Sequence, residues 1–375
     1  MALWRAAMAM VGIVVMTVLI ALVLFILALK GQDVALPQWA LDPLEAELTA
    51  VQDDVTVSFE SAYVTVDDQW QPSIILTGVA LNRADEPSFL QLGRVDAAFS
   101  LSDALLGTLA ATHINVEGVF LTLLRDLDGK LRFQFGEFDT GSDAVPDVFS
   151  AISGLDTALG SDQLSKLETL QILAITLNYQ DRRTDRSWTV DGARFMANRD
   201  GDTLFLRSDL ALLTGGSDVA TLEANYSSVI GENSAEVGII LEDIQSRDIA
   251  TQSVALSWLG VLNAPISGAL RLEILPEGVL GPLNGTLQIG EGALQPSQGA
   301  KPIPFDAART YFSFDPETSN LDFSEIALES RDVSLTAEGY AQLTYDNAWP
   351  SGMVSQLSLQ NIKVNPEQFD NPLDF

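Results

Sequence analysis

Few side chains in this sequence could carry out catalytic chemistry. His113 is the only histidine among 375 residues, and there are no cysteines. These two facts exclude a histidine-pair metal site, a thiolate metal site and a cysteine nucleophile. One imidazole base remains, and it lies within a predicted strand between Thr112 and Ile114. A surface or edge histidine is the simpler interpretation.

The acidic and glycine-containing motifs are typical of turns. Asp53 with Asp54, and Asp67 with Asp68, fall at the ends of predicted strands, where aspartate favours turns. Residues 126–129 (DLDG) match half of a calcium-binding loop and predict a hairpin. The sequence therefore predicts no catalytic residues, no metal and no cofactor, and a protein that is not an enzyme.

The charge of the chain argues against two further classes of function. Lys and Arg number 20 against 51 Asp and Glu, which gives a formal net charge of −31. Nucleic-acid binding requires a cluster of basic residues, so the charge disfavours it, and electrostatic docking on an anionic membrane is disfavoured as well. Because 47% of residues are hydrophobic, the chain is too apolar for a disordered acidic segment.

The N-terminal region predicts a membrane anchor. Residues 6–29 (AAMAMVGIVVMTVLIALVLFILAL) are almost entirely apolar and, as a helix, would span about 36 Å, enough to cross a bilayer. A cleaved signal peptide is the rival interpretation, but its apolar region would be shorter and followed by a small-residue cleavage site. Arg5 before the segment places the N-terminus in the cytoplasm. We expect a single-pass inner-membrane protein in which the chain after the anchor lies in the periplasm and Trp39 lies at the bilayer interface.

The rest of the chain predicts a long antiparallel β-meander. An amphipathic helix is expected over residues 37–52, and about 16 strands with turn residues between them follow. Short helices are expected around residues 102–107, across 139–167 and over 249–259. The predicted division is a cytoplasmic stub and transmembrane anchor (1–33), an N-terminal helix and β segment (34–138), a helical insertion or lid (139–167), and a β continuation (168–375).

The strands predict a sheet with one apolar and one wet face. Leu270, Leu272 and Ile274 alternate with more polar residues, as do Leu321 and Phe323. A sheet this long must twist and curl, either closing into a filled sandwich or forming a gutter with an apolar floor. For each candidate lining residue, ordinary core is an equally good interpretation. The candidates are Phe59, Leu76, Val116, Phe133, Leu177, Leu206, Leu272 and Phe323.

An ordered string of motifs resembles a known family. Residues 78–81 (GVAL), 100–107 (SLSDALLG) and 114–129 (INVEGVFLTLLRDLDG) follow one another after the predicted anchor. In this order they resemble the N-terminal part of the AsmA-like proteins of Gram-negative envelopes. Residues 169–212 and 262–294 are similar to the YhdP-like branch of that family. Members of that branch are usually much longer, so the resemblance implies a truncated or split member.

The resemblance implies a fold and a function. AsmA-like proteins are similar to bridge-like lipid transfer proteins, in which repeating β-groove units carry phospholipid acyl chains toward the outer membrane. The expected fold is an elongated, twisted antiparallel sheet curled into an open apolar groove. Phospholipid is the expected ligand. The alternatives are an envelope scaffold that binds an outer-membrane biogenesis partner through its sheet edge, and an anchored enzyme.

Overall fold

A computed structural model describes most of the chain beyond the predicted anchor. The described residues are 30–49, 55–67, 70–83, 86–100, 102, 110–127, 131–134, 164–183, 185–213, 219–276, 279–295, 297, 299–331, 333–346 and 349–364. The predicted anchor over 6–29 lies outside them, as do nearly all of the predicted helical turn at 102–107 and of the insertion at 139–167. Within the described ranges, no helix has the length and apolar character needed to span a membrane.

The described chain is mainly β, as the sequence predicts. The strands are β1 (Val34–Ala35), β2 (Val55–Ser58), β3 (Ser61–Val66), β4 (Pro72–Arg83), β5 (Glu86–Phe99), β6 (Ala111–Arg125), β7 (Leu131–Gln134), β8 (Thr169–Asp181), β9 (Arg186–Asp200), β10 (Thr203–Leu213), β11 (Val219–Val229), β12 (Ala235–Gln245), β13 (Leu262–Asn263), β14 (Pro265–Ile274), β15 (Leu280–Ile289), β16 (Gly292–Leu294), β17 (Ile303–Phe305), β18 (Ala307–Asp315), β19 (Asn320–Glu329), β20 (Val333–Asp346) and β21 (Trp349–Val364). The helices are α1 (Gln38–Thr49), α2 (Ser246–Ala250) and a 3₁₀ helix (Val254–Val261).

The region predicted as one helix over 249–259 is split into α2 and the 3₁₀ helix. The Thr251 hydroxyl donates to the Asp248 carbonyl at 2.8 Å, and the Thr251 backbone N–H donates to the Ile249 carbonyl. Ser253 then adopts an extended backbone, with φ −153° and ψ 159°, which no helix can continue through. The apolar spacing predicted the helical region but not this interruption.

The chain divides into two compact units. Unit 1 comprises Met1–Phe120 and Ser161–Ile172, and unit 2 comprises Leu121–Gly160 and Leu173–Phe375. In unit 1, β3 pairs with β1 and β4, β4 also pairs with β2 and β5, and β5 pairs with β6, all antiparallel.

The core of unit 1 lies between this sheet and helix α1. Ala62, Leu76 and Val79 are buried together, and Leu41 and Leu44 of α1 pack against them. The apolar spacing that predicted α1 as amphipathic therefore corresponds to the face that covers this sheet.

Unit 2 is built as a meander. Strands β9, β10, β11, β12, β14, β15, β18, β19, β20 and β21 each pair antiparallel with the next in that order. A small second sheet joins β13, β16 and β17. The 3₁₀ helix, which follows β12 along the chain, lies against β21, the last strand in the pairing order. The sheet must therefore curl, as twisted sheets of many strands do.

Candidate apolar groove

One face of the unit 2 sheet carries a continuous row of apolar side chains. Cross-strand partners in an antiparallel sheet lie on the same face, so the register defines the row directly. From β9 to β20 the row consists of Ala197, Leu206, Tyr226, Val237, Leu272, Leu283, Phe314, Leu321 and Ala341. Every member is apolar or aromatic.

On each strand, the residue two positions away from the first row lies on the same face, and these residues form a second row. It consists of Phe195, Ser208, Ala224, Ile239, Leu270, Gly285, Phe312, Phe323, Gly339 and Leu357. The rings of Phe312 and Phe323 lie 6.4 Å apart at an interplanar angle of 55°. We call these two rows together the apolar floor.

The apolar floor is most deeply buried at residues of β9, β10 and β20 and more exposed at β21. Leu206 and Ala341 are buried, and Leu272 and Phe323 are half-buried. Leu357 is exposed, and so is Leu359, which follows it on the same face of β21. In the part of unit 2 that the structure describes, helical cover is limited to α2 and the 3₁₀ helix. Among the described elements of unit 2, no other helix is available to cover the floor.

The opposite face of the same strands is polar. Its central row consists of Met196, Arg207, Asn225, Gly238, Arg271, Asn284, Ser313, Asp322, Tyr340 and Gln356. The predicted alternation of one apolar and one wet face is confirmed for these strands.

The structure brings together three of the predicted lining residues. Leu206 and Leu272 belong to the first row of the apolar floor, and Phe323 belongs to the second. Leu177, on β8, is half-buried. Its neighbours Thr176 and Asn178 are joined to Asp191 and Thr189 of β9 by hydrogen bonds of 3.4 and 3.3 Å.

The remaining predicted positions lie elsewhere. Leu76 and Val116 belong to a row of unit 1, and Leu76 is part of the core that α1 covers; Phe59 packs against the same core. Phe133 pairs with Leu123 across β6 and β7, and its side chain is outside the described part. Trp39, on α1, is 79% exposed.

A buried polar cluster in unit 2 was not predicted. Arg125 Nη1, at the end of β6, lies 3.2 Å from Asp181 Oδ2, at the end of β8, and also donates to Gln252 Oε1 at 3.2 Å. The Asp181 side chain is fully buried and also accepts the Arg183 backbone N–H at 2.9 Å. Burial raises the pKa of nearby Tyr179, while the Arg125 charge acts in the opposite direction. The sequence signal that could have indicated this cluster is the charged residue at the end of each of two apolar strands.

The position of His113 agrees with its interpretation as a surface or edge histidine. Its Nδ1 lies 3.1 Å from Thr112 Oγ1, and its Nε2 lies 3.9 Å from a Glu168 carboxylate oxygen. Its side chain is about one third exposed. Within the described ranges, no group of histidine and acidic residues is arranged to hold a metal ion.

Two large cavities in unit 2 are lined mainly by residues of the polar face. One, of about 910 Å³, is lined by Ala269, Arg271, Asn284, Gly285, Thr286, Tyr311, Phe312, Ser313, Asp322, Phe323, Ser324, Glu338, Gly339 and Tyr340. The other, of about 800 Å³, includes Phe205, Arg207 and Asn225 of the polar face and Leu206, Tyr226, Val237 and Leu272 of the apolar floor. Arg271 lines both. The polar face thus carries a trough that runs across the strands.

No protein-family model matches the chain, and no curated protein or solved structure matches it.

Proposed function

We propose that this protein holds phospholipid acyl chains on the apolar floor of unit 2 and moves them through the periplasm toward the outer membrane. The observation that supports this proposal is the continuity of the first apolar row from β9 to β20. The predicted anchor over residues 6–29 would hold the protein in the inner membrane.

The energetics of the apolar floor favour such a ligand. An acyl chain that leaves water gains about 0.8 kcal/mol for each buried CH₂ group. The floor offers side chains of the right chemistry across successive strands, which are spaced by about 4.8 Å. A chain lying across the strands would therefore contact a new apolar residue at each strand. The charged headgroup would remain in water at the edge of the sheet.

Site-specific photocrosslinking tests this proposal in the full-length chain. Benzoylphenylalanine would replace Phe323 or Leu272 on the apolar floor, and irradiated protein from envelopes would be examined by mass spectrometry for attached phospholipid. We expect lipid adducts at both positions. Absence of adducts at both, in protein that is folded and expressed, would overturn the proposal.

Two adjacent isoleucines provide a matched control. Ile239 belongs to the apolar floor, whereas Ile240 lies on the polar face, where it is exposed. The same crosslinker should give lipid adducts at Ile239 and not at Ile240. Equal labelling at the two positions would indicate nonspecific capture of membrane lipid and would contradict the proposal.

One observation favours the alternative function of an envelope scaffold. In the described part of the chain, β21 pairs on one side only, with β20, and its apolar residues Val354, Leu359 and Ile362 are exposed. A long exposed apolar edge strand can add a strand from another protein. Crosslinks from Ile362 to an outer-membrane biogenesis protein, without lipid crosslinks on the floor, would favour this function.

A further inference from the structure

The polar-face trough of unit 2 carries exposed aromatic rings among polar side chains. Tyr311 and Tyr340 line the cavity of about 910 Å³ and are 43% and 46% exposed. Phe205 lines the cavity of about 800 Å³ and is 46% exposed. The two tyrosines are on β18 and β20, which β19 separates, so they are about 10 Å apart across the strands. A polar surface thus presents aromatic faces at intervals.

The polar side chains around the larger cavity are mostly uncharged. They include hydroxyl and amide groups, which can both donate and accept hydrogen bonds. These residues are Asn284, Thr286, Tyr311, Ser313, Ser324 and Tyr340.

The charged groups disfavour an anionic ligand. The carboxylates in the larger cavity already accept amide hydrogen bonds, Asp322 from Asn320 at 3.1 Å and Glu338 from Gln360 at 2.7 Å. Against these two carboxylates the cavity has one cation, Arg271. The formal net charge of −31 on the whole chain adds to the repulsion of anions.

We propose that this trough binds an uncharged oligosaccharide. A pyranose ring has an apolar C–H face, which stacks on an aromatic ring, and a rim of hydroxyl groups, which pair with amides, hydroxyls and carboxylates. The trough supplies both sets of partners, and its mixed lining has the character of a small-molecule site. Tyr311 and Tyr340 are on the face opposite the apolar floor, and Gly285, Phe312, Phe323 and Gly339 of the floor also line the cavity.

Saturation-transfer NMR with defined trisaccharides tests the proposal. The probes are triacetylchitotriose, cellotriose and maltotriose, added to the full-length chain in a detergent without a sugar headgroup. We expect at least one to bind, and the double variant Tyr311→Ala/Tyr340→Ala to weaken that binding about tenfold or more. Tyr345→Ala is the control, because Tyr345 is equally exposed but does not line the cavity.

A second variant and a competing ligand complete the test. Ser313→Phe fills the cavity from the solvent side and should also abolish binding. This variant keeps the proposal testable if the double variant does not fold. Binding of none of the three sugars, or binding that both folded variants retain, would overturn the proposal. Salt-sensitive binding of trilysine in place of the sugars would also overturn it, and would identify a cationic peptide as the occupant.

Discussion

Arg125 and Asp181 form a buried ion pair between the ends of β6 and β8, with Arg125 Nη1 3.2 Å from Asp181 Oδ2. The side chains are 5% and 0% exposed. Gln252 accepts a hydrogen bond from Arg125 and donates from Nε2 to the Asp248 carbonyl at 3.1 Å. The pair thus connects two strand ends to the segment between α2 and the 3₁₀ helix.

Removing one partner of this pair should be strongly destabilising. Arg125→Met leaves the Asp181 carboxylate buried without its cation, and we expect a loss of about 3–5 kcal/mol in the free energy of unfolding. Urea denaturation followed by circular dichroism measures this change. Arg207→Met is the control: Arg207 is exposed, with Asp209 and Glu223 at 3.1 and 3.3 Å, so the change should be below about 1 kcal/mol. Equal losses would contradict the assigned role.

The contact between Gly285 and Phe312 should limit substitution on the apolar floor. A Cβ at Gly285 would overlap the Phe312 ring, so Gly285→Ala should destabilise the protein by about 1–3 kcal/mol. The double variant Gly285→Ala/Phe312→Ala should lose less than the sum of the two single changes, because the clash is then removed. Gly238→Ala is the control, since nothing lies within 4 Å of its Cβ position. Additive losses would show that the ring does not lie over Gly285.

Asp96 on β5 should make unit 1 less stable as pH rises. Burial raises the pKa of Asp96, and Asp33 and Glu117 raise it further, while Arg94 opposes them. The folded state therefore retains this proton at pH values where the unfolded state has released it. The contribution of Asp96 to stability is greatest below its unfolded pKa and falls as pH rises through the folded pKa.

The corresponding variant is Asp96→Asn. It should unfold at higher urea concentration than the parent at pH 7, and this advantage should disappear below the unfolded pKa of aspartate. NMR titration of the Asp96 carboxyl carbon provides a direct measurement of the same effect. A pKa at or below 3.8, or a variant less stable than the parent at pH 7, would contradict the prediction.

The sequence predicted those features that depend on local pattern. Alternation of residues such as Leu270 and Leu272 with polar neighbours defines the faces of a strand, and short turns fix the pairing of adjacent strands. For this reason the alternating patterns over residues 111–125 and 203–213 predict the strands that the structure shows as β6 and β10. The two-residue and three-residue strands β1, β13, β16 and β17 were not predicted, since they are too short for alternation to be visible.

The sequence could not reveal features that depend on distant residues. Arg125 and Asp181 are 56 positions apart, and only their placement in the fold makes them a pair. Phe59 and Leu76 have the same alternating pattern as Leu206 and Leu272, yet the first two lie in the core that α1 covers. Alternation indicates which face is apolar, whereas the elements packed on that face decide between core and open floor.

The register that defines the apolar floor can be tested by disulfide formation. The chain has no cysteines, so two introduced ones can pair only with each other within a molecule. Ala224 and Ile239 are direct partners across β11 and β12. Direct partners have Cα atoms about 4.5–5.5 Å apart, within the range that a disulfide spans. Oxidation of Ala224→Cys/Ile239→Cys should therefore form an intramolecular disulfide, visible as a mass loss of about 2 Da. Ala224→Cys/Ile240→Cys should not, because Ile240 lies on the opposite face. The reverse result would mean that the strands are displaced by one residue and that the floor consists of the other set of side chains.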